Sequence, residues 1–350
     1  LIIFCIQSSC LSNCRRDCQR NFNAMPSVQP KLYNDDVSFV VVLLDTNPFF
    51  WATSPLPFSK FISHVLAFLN SLLLLSQLNQ VVVIATGFNS CNYVYDSSIS
   101  SRNSSMGDTK MPSMYSKILE KLEDIVSAQE DRLKAKGNIV NDKSLSSSML
   151  SGALSMALCC ILTQLLDMTL ISCQFILSFH LDIQRVFRSG SIHPQPRILC
   201  LQGSPDGPEQ YVSVMNSIFS AQRSMSFGEQ IPIDSCFVGA QNSPFLQQAS
   251  HITGGVYVKP QHLDGLFQYL VTVFSADLHT RSFLQLPRPA GVDFRASCFC
   301  HKSTIDMGYV CSVCMSIFCK HHNKCSTCGS VFGEGQTGSF VSQKRKTPET

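Results

Sequence analysis

Short apolar runs alternate with longer amphipathic segments between residues 35 and 290. The segments between the runs have helical spacing of apolar residues, at 58–76, 114–136, 148–158, 209–221, 243–251 and 263–274. The runs are rich in Val, Ile and Leu, which predicts strands buried on both faces. They are Ser38–Leu44, Gln80–Thr86, Arg197–Leu201, Ile231–Val238 and the shorter Val256–Val258. Strands alternating with helices predict an α/β fold with a doubly wound sheet, and the Ser- and Asn-rich residues 88–112 predict a loop.

The ligand site of such a sheet lies where its strands end at their carboxyl termini. The first predicted strand ends in Asp45-Thr46-Asn47-Pro48-Phe49. Nucleotide binding needs a glycine-rich turn at this place, and an α/β-hydrolase needs a G-x-S-x-G turn. Neither type of motif follows this strand. We therefore predict no catalytic residue, no small-molecule substrate and no organic cofactor.

Composition narrows the class of protein further. The chain has 350 residues, of which 45% are hydrophobic and 15% are charged, with a formal net charge of +3. A charge this small gives no strong field for nucleic acid or a membrane surface, so any DNA contact is expected to be indirect or weak. The 17 cysteines are an odd number and seven of them crowd into residues 298–328, which fits a secreted disulfide framework poorly.

The C-terminal cysteines have the spacing of metal ligands. Cys311-x₂-Cys314 and Cys325-x₂-Cys328 are two pairs separated by ten residues. Each pair can direct both sulfurs at one ion, and four thiolates close a tetrahedral structural site. Soft thiolate ligands favour Zn²⁺ over Mg²⁺ or Ca²⁺, and an iron–sulfur cluster is the alternative with the same ligands. We predict a structural, non-catalytic zinc site.

The remaining residues of the cluster could complete a second zinc site. Cys298, Cys300, His301 and Cys319 are its candidate ligands, with the first pair either 298/300 or 298/301 and a third pair at 319/321. In order along the chain, the pairs resemble the cross-brace of a RING module, in which the first and third pairs share one zinc. A RING-like ubiquitin ligase component is therefore the alternative function, although the first pair departs from regular C-x₂-C spacing.

An aspartate directly after the first strand resembles the von Willebrand factor A domain. In that family, a D-x-S-x-S loop and residues from two other loops hold a Mg²⁺ that grips an acidic partner. Asp45 is kept here, but Asn47 and Phe49 replace the two serines. Ser148 falls at the place of the family's threonine, and Gln202 replaces its second aspartate. The resemblance implies an A-like docking domain without the metal, which weakens the reading as a Mg²⁺-dependent adhesion domain.

Two stretches together resemble one family of A-domain proteins. They are Val-Val-Leu-Leu-Asp-Thr-Asn-Pro at 41–48 and Gly-Tyr-Val-Cys-Ser-Val-Cys-Met-Ser-Ile-Phe-Cys at 308–319. The chain is similar to the smaller A-domain subunits of the core of general transcription and repair factor IIH. The resemblance implies a nuclear, non-enzymatic subunit that binds the larger A-domain subunit and other core subunits. It further implies support of RNA polymerase II transcription initiation and of nucleotide excision repair.

The domain organisation follows from these patterns. We predict an extension at 1–34 that is non-native before Met25, an A-like domain at 35–290, a cysteine-rich zinc module at 291–335 and a basic flexible tail at 336–350. Residues 160–182 have no counterpart in the family and are predicted to be a non-native insertion. Their apolar stretch is long enough for a membrane span, but Thr, Gln and Ser dilute it and aromatic belts are missing, so no membrane contact is predicted.

Overall fold

The structure is a computed structural model that describes most of the predicted A-like domain and of the cysteine-rich module. It describes residues 37–76, 78–97, 112–135, 147–178, 194–223, 230–281, 283–287, 291–292, 294–301 and 304–332. For residues 165–178 it describes the backbone alone. The predicted extension at 1–34 and the predicted tail at 336–350 lie outside the described residues.

A six-stranded sheet forms the centre of the fold. Its strands are β1 (Ser38–Asp45), β2 (Gln80–Thr86), β3 (Cys91–Asp96), β4 (Gln195–Gln202), β5 (Ile233–Phe237) and β6 (Tyr257–Val258). Their order across the sheet is β3-β2-β1-β4-β5-β6, and every neighbouring pair is parallel except β2 and β3. The predicted doubly wound α/β sheet is therefore confirmed, with one antiparallel strand at its edge.

Helices cover both faces of this sheet because the central strands are apolar on both sides. They are α1 (Pro48–Trp51), α2 (Phe58–Leu75), α3 (Pro112–Ala135), α4 (Leu150–Ser178), α5 (Tyr211–Arg223), α6 (Pro244–Thr253), α7 (Leu266–Phe274) and α8 (Leu278–Arg281). Val40 and Val42 of β1 pack in one cluster with α2, α3 and α7. Phe39 and Val41 pack in a second cluster with α4, α5 and α6. All eight residues of β1 are buried, as a central parallel strand requires.

The prediction of a loop over 88–112 is wrong for residues 91–96, which form strand β3. The strand pairs antiparallel with β2, with a register shift between Val83 and Ile84. Its residues are only half-buried or exposed, so it lacks the continuous apolar run that identified the other strands. Val94 and Tyr95 still pack against the core, and aromatic and β-branched residues of this kind favour an edge strand.

Helix α2 has the length and composition of a membrane span, with a mean hydropathy of 1.6. It is the one described helix that passes this test. Its side chains Phe61, Val65, Phe68 and Leu69 are buried and belong to the cluster on one face of the sheet. The apolarity of α2 is therefore used to cover the sheet.

The predicted insertion at 160–182 begins inside helix α4. The helix, whose start is predicted over 148–158, runs without a break to Ser178. Ile161 is fully buried and packs with Leu154 and Leu158 against the sheet. The first turn of the segment therefore has a place in the fold, contrary to our expectation from the sequence.

We expect the abundant native chain to lack most of residues 160–182. Connections in α/β layers are commonly about 2–6 residues long, and a long apolar continuation is an aggregation hazard. Peptide mass spectrometry of the endogenous protein should detect a peptide that joins residues 151–159 to Ile183-Gln-Arg. A peptide covering Met168–Ser178 from the native protein would contradict this prediction.

The cysteine-rich module contains two short hairpins. Strand β7 (Ala296–Ser297) pairs with β8 (Thr304–Ile305), and β9 (Tyr309–Val310) pairs with β10 (Ile317–Phe318). Its fully buried apolar cluster consists of Cys311, Phe318 and Cys325, with a few half-buried neighbours. A cluster of this size cannot stabilise a domain by hydrophobic burial alone.

Candidate functional site: the sheet edge and the cysteine groups

Asp45 lies at the carboxyl end of β1, where an A domain would hold its metal ion. Its carboxylate accepts hydrogen bonds from three backbone N–H groups, those of Asn47 (3.0 Å), Gly203 (3.0 Å) and Ser204 (2.7 Å). Burial raises the pKa of the Asp45 carboxyl, and these hydrogen bonds oppose that shift. Asp45 therefore orders the turn before Pro48 and joins it to the loop after β4.

The neighbouring positions do not offer ligands to a cation. The side chain of Asn47 accepts a hydrogen bond from the Phe49 N–H at 3.1 Å and so caps helix α1. Gln202 donates its amide N–H to the Ser148 hydroxyl at 2.6 Å. A hard cation needs several free oxygen ligands, whereas the Asp45 carboxylate, the Asn47 amide oxygen and the Ser148 hydroxyl oxygen each accept hydrogen bonds from protein donors. These residues do not fit a bound Mg²⁺.

Close packing seals the same edge. A Cβ atom on Gly203 would lie 2.1 Å from Cε1 of Phe50, so only glycine permits the ring to sit there. The Trp51 indole N–H donates to the Asp45 carbonyl at 2.9 Å. Helix α1, which the sequence patterns did not reveal, therefore covers the place of the metal with aromatic side chains.

We expect millimolar Mg²⁺ to leave the free energy of unfolding of the A-like domain unchanged. If Mg²⁺ bound the folded state and were present at ten times its dissociation constant, it would raise the free energy of unfolding by about 1.4 kcal/mol. A rise of this size would contradict the prediction.

Asp45→Ala should destabilise the domain by about 2–4 kcal/mol, because three buried N–H groups lose their acceptor. Asp264→Ala, which removes an exposed carboxylate, is the control and should cost under about 1 kcal/mol. Urea unfolding followed by circular dichroism measures both effects.

The structure brings Cys311, Cys314, Cys325 and Cys328 together as the sequence predicted. Their sulfurs all lie within 4.8 Å of one another. The sulfurs of Cys311 and Cys328 are 3.7 Å apart, and those of Cys314 and Cys325 are 3.6 Å apart. A tetrahedral Zn–S₄ site with bonds of about 2.3 Å has edges of about 3.8 Å. The four sulfurs could therefore hold a tetrahedral ion with little movement.

A second group joins Cys298, Cys300, His301 and Cys319. The sulfurs of Cys300 and Cys319 are 3.7 Å apart, and Nδ1 of His301 lies 3.2 Å from the Cys319 sulfur. The sulfurs of Cys298 and Cys300 are only 2.8 Å apart, so this group is the less regular of the two. Both predicted alternatives for the first pair, 298/300 and 298/301, enter the same group.

The ligands of the two groups interleave along the chain in the manner of a cross-brace. The third pair contributes only Cys319, because His321 belongs to neither group. The His321 ring instead packs against Tyr309, with ring centroids 5.7 Å apart, and the His322 ring packs 5.3 Å from Phe318. Among the described residues, these two groups are where three or more metal-binding side chains come together.

An eight-residue repeat underlies the first group and was missed in the sequence. Residues 311–318 read Cys-Ser-Val-Cys-Met-Ser-Ile-Phe, and residues 325–332 read Cys-Ser-Thr-Cys-Gly-Ser-Val-Phe. The backbone repeats as well, because Cys311 N donates to the Ser316 carbonyl at 2.9 Å and Cys325 N donates to the Ser330 carbonyl at 2.8 Å. Its period of 14 residues is shorter than the 20–50 residues of common repeat architectures.

The second serine of each copy lies next to a sulfur. Oγ of Ser316 is 3.1 Å from the Cys314 sulfur, and Oγ of Ser330 is 3.0 Å from the Cys328 sulfur. The Ser330 hydroxyl lowers the pKa of the Cys328 thiol to about 6, and the Ser316 hydroxyl lowers the pKa of the Cys314 thiol. Both contacts favour the thiolate, which is the form that binds metal.

The two copies of the repeat differ in backbone strain at one position. Met315 has φ 60°, the one positive φ among described non-glycine residues, and the equivalent Gly329 has φ 76°. Left-handed backbone costs a non-glycine residue about 1–2 kcal/mol, while glycine adds about 0.5–1 kcal/mol of unfolded-state entropy.

We expect Met315→Gly to stabilise the metal-loaded module by about 0.5–1 kcal/mol, because the relief of strain exceeds the entropic cost. Gly329→Met should destabilise it by about 1 kcal/mol. Backbone hydrogen exchange in β9 and β10 measures the change. Met307→Gly, at another exposed methionine of the module, is the matched control and should not slow exchange. Equal effects of Met315→Gly and Met307→Gly would show that strain is not relieved.

The fold and the two groups define a von Willebrand A-like protein with a C-terminal module whose cysteines and histidine could hold metal ions. A family model described as Transcription factor Tfb4 matches residues 37–329. The chain therefore belongs to the Tfb4 family of transcription factors.

The chain is similar to several named proteins and to one solved structure. A protein of Arabidopsis thaliana named General transcription and DNA repair factor IIH subunit TFB4 is 59% identical over 331 residues, covering 93% of this chain and 100% of that protein. The subunit tfb4 of the same factor in Schizosaccharomyces pombe is 36% identical, covering 85% of this chain and 90% of that protein. The crystal structure of the TFIIH p34 N-terminal domain has a TM-score of 0.46 and 26% identity, and covers 68% of this chain and 97% of that one. None of these relatives is described as a ubiquitin ligase, so they give the RING-like alternative no support.

Proposed function

We propose that the chain is a non-enzymatic structural subunit of general transcription and DNA repair factor IIH. It acts in the nucleus, supports RNA polymerase II transcription initiation and nucleotide excision repair, and docks the larger A-domain subunit of the factor. The observation that carries the proposal is the 59% identity to a named IIH subunit over that subunit's whole length.

The sealed edge of the sheet supports a docking role that needs no metal. The Asp45 carboxylate and the Gln202 amide N–H are engaged in internal hydrogen bonds, so the partner must be held by shape and by hydrogen bonds from the protein itself. The larger A-domain subunit therefore binds this chain without a bridging cation.

The cysteine-rich module holds structural zinc in this proposal. Cys311, Cys314, Cys325 and Cys328 bind one ion, and the group of Cys298, Cys300, His301 and Cys319 binds a second. Thiolate softness and the 3.6–3.7 Å sulfur separations of the first group support zinc. Four protein ligands leave no open position, so such a metal would contribute folding energy and no chemistry.

The domain layout of the proposal follows the predicted boundaries. The A-like domain at 35–290 docks the partner and the module at 291–335 is a separate metal-dependent unit. The segments at 1–34 and 336–350 flank them. The described elements are compatible with this division, since the last helix of the A-like domain, α8, ends at Arg281 and the first cysteine ligand is Cys298.

Affinity purification of the tagged full-length chain from nuclear extract tests the proposal. We expect mass spectrometry to recover the larger A-domain subunit together with other IIH subunits, and washing in buffer without Mg²⁺ should not release them. Recovery of ubiquitin-conjugating enzymes in place of IIH subunits would contradict it, as would ubiquitin discharge by the purified full chain.

Metal analysis tests the zinc assignment separately. We expect two zinc ions per purified chain. One ion per chain would refute the second group, and none would refute both. Cys159→Ser, at an exposed cysteine outside the module, is the matched control and should leave the zinc content unchanged.

A further inference from the structure

Two serines of the repeat have a position that the metal ligands alone do not explain. Ser316 follows Cys314 by two residues and Ser330 follows Cys328 by two residues. Ser316 is 1% exposed, so its hydroxyl needs a partner inside the protein, and the described partner is the Cys314 sulfur at 3.1 Å. The Ser330 hydroxyl makes the same contact with Cys328 at 3.0 Å.

The turn of each repeat fixes where these hydroxyl groups lie. Met315 N donates to the Cys311 carbonyl at 2.9 Å, and Gly329 N donates to the Cys325 carbonyl at 3.0 Å. A residue with positive φ then reverses the chain at Met315 and at Gly329. The next residue is the serine, whose own carbonyl closes the turn. Two copies with different flanking residues therefore reach the same O···S geometry.

We infer that Ser316 and Ser330 are positioning residues of the metal site, whose hydroxyl groups donate hydrogen bonds to the thiolates of Cys314 and Cys328. The inference rests on the metal binding proposed above. A metal-bound thiolate carries no proton, so the serine must be the donor. Four thiolates around one Zn²⁺ leave two excess negative charges, and each O–H donor disperses part of that charge.

The two hydroxyl groups contact the two sulfurs of the site that are more exposed to solvent. Cys311 and Cys325 are buried, whereas Cys314 is half-buried and Cys328 is exposed. An exposed thiolate is accessible to protons and to electrophiles, and its protonation or modification promotes loss of the metal. The serines therefore hold the two outer ligands of the site against exchange.

The repeat supplies its own matched controls. Ser312 and Ser326 occupy equivalent positions one residue after the first cysteine of each pair, and both are exposed. No hydrogen bond to a sulfur is described for either of them. Ser316→Ala and Ser330→Ala remove the proposed donors, while Ser312→Ala and Ser326→Ala remove the same group from the same loops.

The experiment uses zinc-loaded full-length chain and two measurements. Chelator competition should show zinc affinity about tenfold weaker in Ser316→Ala and in Ser330→Ala, within the 10–100-fold range seen for such partners. Iodoacetamide labelling, resolved by peptide mass spectrometry, should be faster at Cys314 in the first variant and at Cys328 in the second. The control variants should match the wild type in both measurements, and Ser330→Thr should restore the wild-type values.

Each outcome decides between the inference and its alternatives. Affinity and labelling equal to the controls in both variants would overturn the inference while leaving the zinc site standing. Uniformly faster labelling of all four cysteines would indicate a packing role and would also overturn it. If Ser316→Ala does not fold, the half-buried Ser330 decides the matter with its threonine variant. A wild-type chain without zinc would refute the proposed metal site itself.

Discussion

Removal of the metal, or Cys311→Ser, should unfold residues 295–332 and leave the sheet folded. Metal binding contributes about 10–16 kcal/mol to folding in small zinc modules. The buried apolar cluster of this module consists of Cys311, Phe318 and Cys325, and two of the three are proposed zinc ligands. Apolar burial therefore cannot replace the lost metal. The sheet has its own clusters on both faces and does not share this dependence.

Limited trypsin digestion of the full-length chain measures this effect. Lys320 and Lys324 lie in the module, and cleavage there should become rapid when a zinc chelator is added or in Cys311→Ser. Far-ultraviolet circular dichroism should retain the α/β signal. Cys159→Ser is the control for loss of an exposed cysteine. Unchanged protection of both lysines after complete zinc removal would show that the module folds by side-chain packing.

The sheet could be predicted because the composition of its central strands shows that they are buried on both faces. β1, β2 and β4 are apolar on both faces, and their predicted ranges differ from the observed ones by at most two residues at either end. Strand β3 could not be identified in this way, because an edge strand is half exposed and its polar neighbours conceal it. The end of helix α4 could not be predicted, because the apolar sequence after residue 158 gives no stop signal.

The grouping of the cysteines could be predicted because the spacing of metal ligands along a chain is local. The pairs 311/314 and 325/328 are near in sequence, and the structure brings their four sulfurs within 4.8 Å of one another. The contacts of Gln202 with Ser148 and of Asp45 with Ser204 span 54 and 159 residues, so no local pattern reveals them. The contacts of the two serines are local in sequence. They could have been found only by comparing the segments 311–318 and 325–332 with each other, since the repeated serine is the signal.

The sequence patterns also did not reveal a buried ion network, which lies at the end of the sheet opposite Asp45. Arg281 of α8 donates two hydrogen bonds to Asp234 of β5, at 2.9 and 2.6 Å. Asp234 also accepts from the Val256 N–H at 2.9 Å. Arg197 of β4 lies farther away, with its Nη1 4.0 Å from the carboxylate, and donates to the Ala276 carbonyl at 2.8 Å. Two cations therefore share one carboxylate, and all three side chains are buried.

The two arginines differ in how well their charge is compensated. Nε and Nη2 of Arg197 are buried without a described partner, whereas Arg281 faces Asp234 with both terminal nitrogens. Burial lowers the pKa of the Arg197 guanidinium to about 10, and Asp234 opposes that shift. The bidentate Arg281–Asp234 pair is therefore the stabilising part of the network, and Arg197 is the excess charge.

Substitutions in this network should destabilise the sheet in the order Asp234→Ala, Arg281→Met, Arg197→Met. Removing Asp234 leaves two buried cations without an anion and should cost about 3–5 kcal/mol, and Arg281→Met should cost about 3 kcal/mol. Arg197→Met should cost only about 0–1 kcal/mol, because it removes an under-compensated charge and leaves the bidentate pair intact. Urea unfolding of the full chain gives the three values, with Arg223→Met at an exposed arginine as the control. If Arg197→Met is as damaging as Asp234→Ala, the charge of Arg197 is fully paired in the native protein and the ranking is wrong.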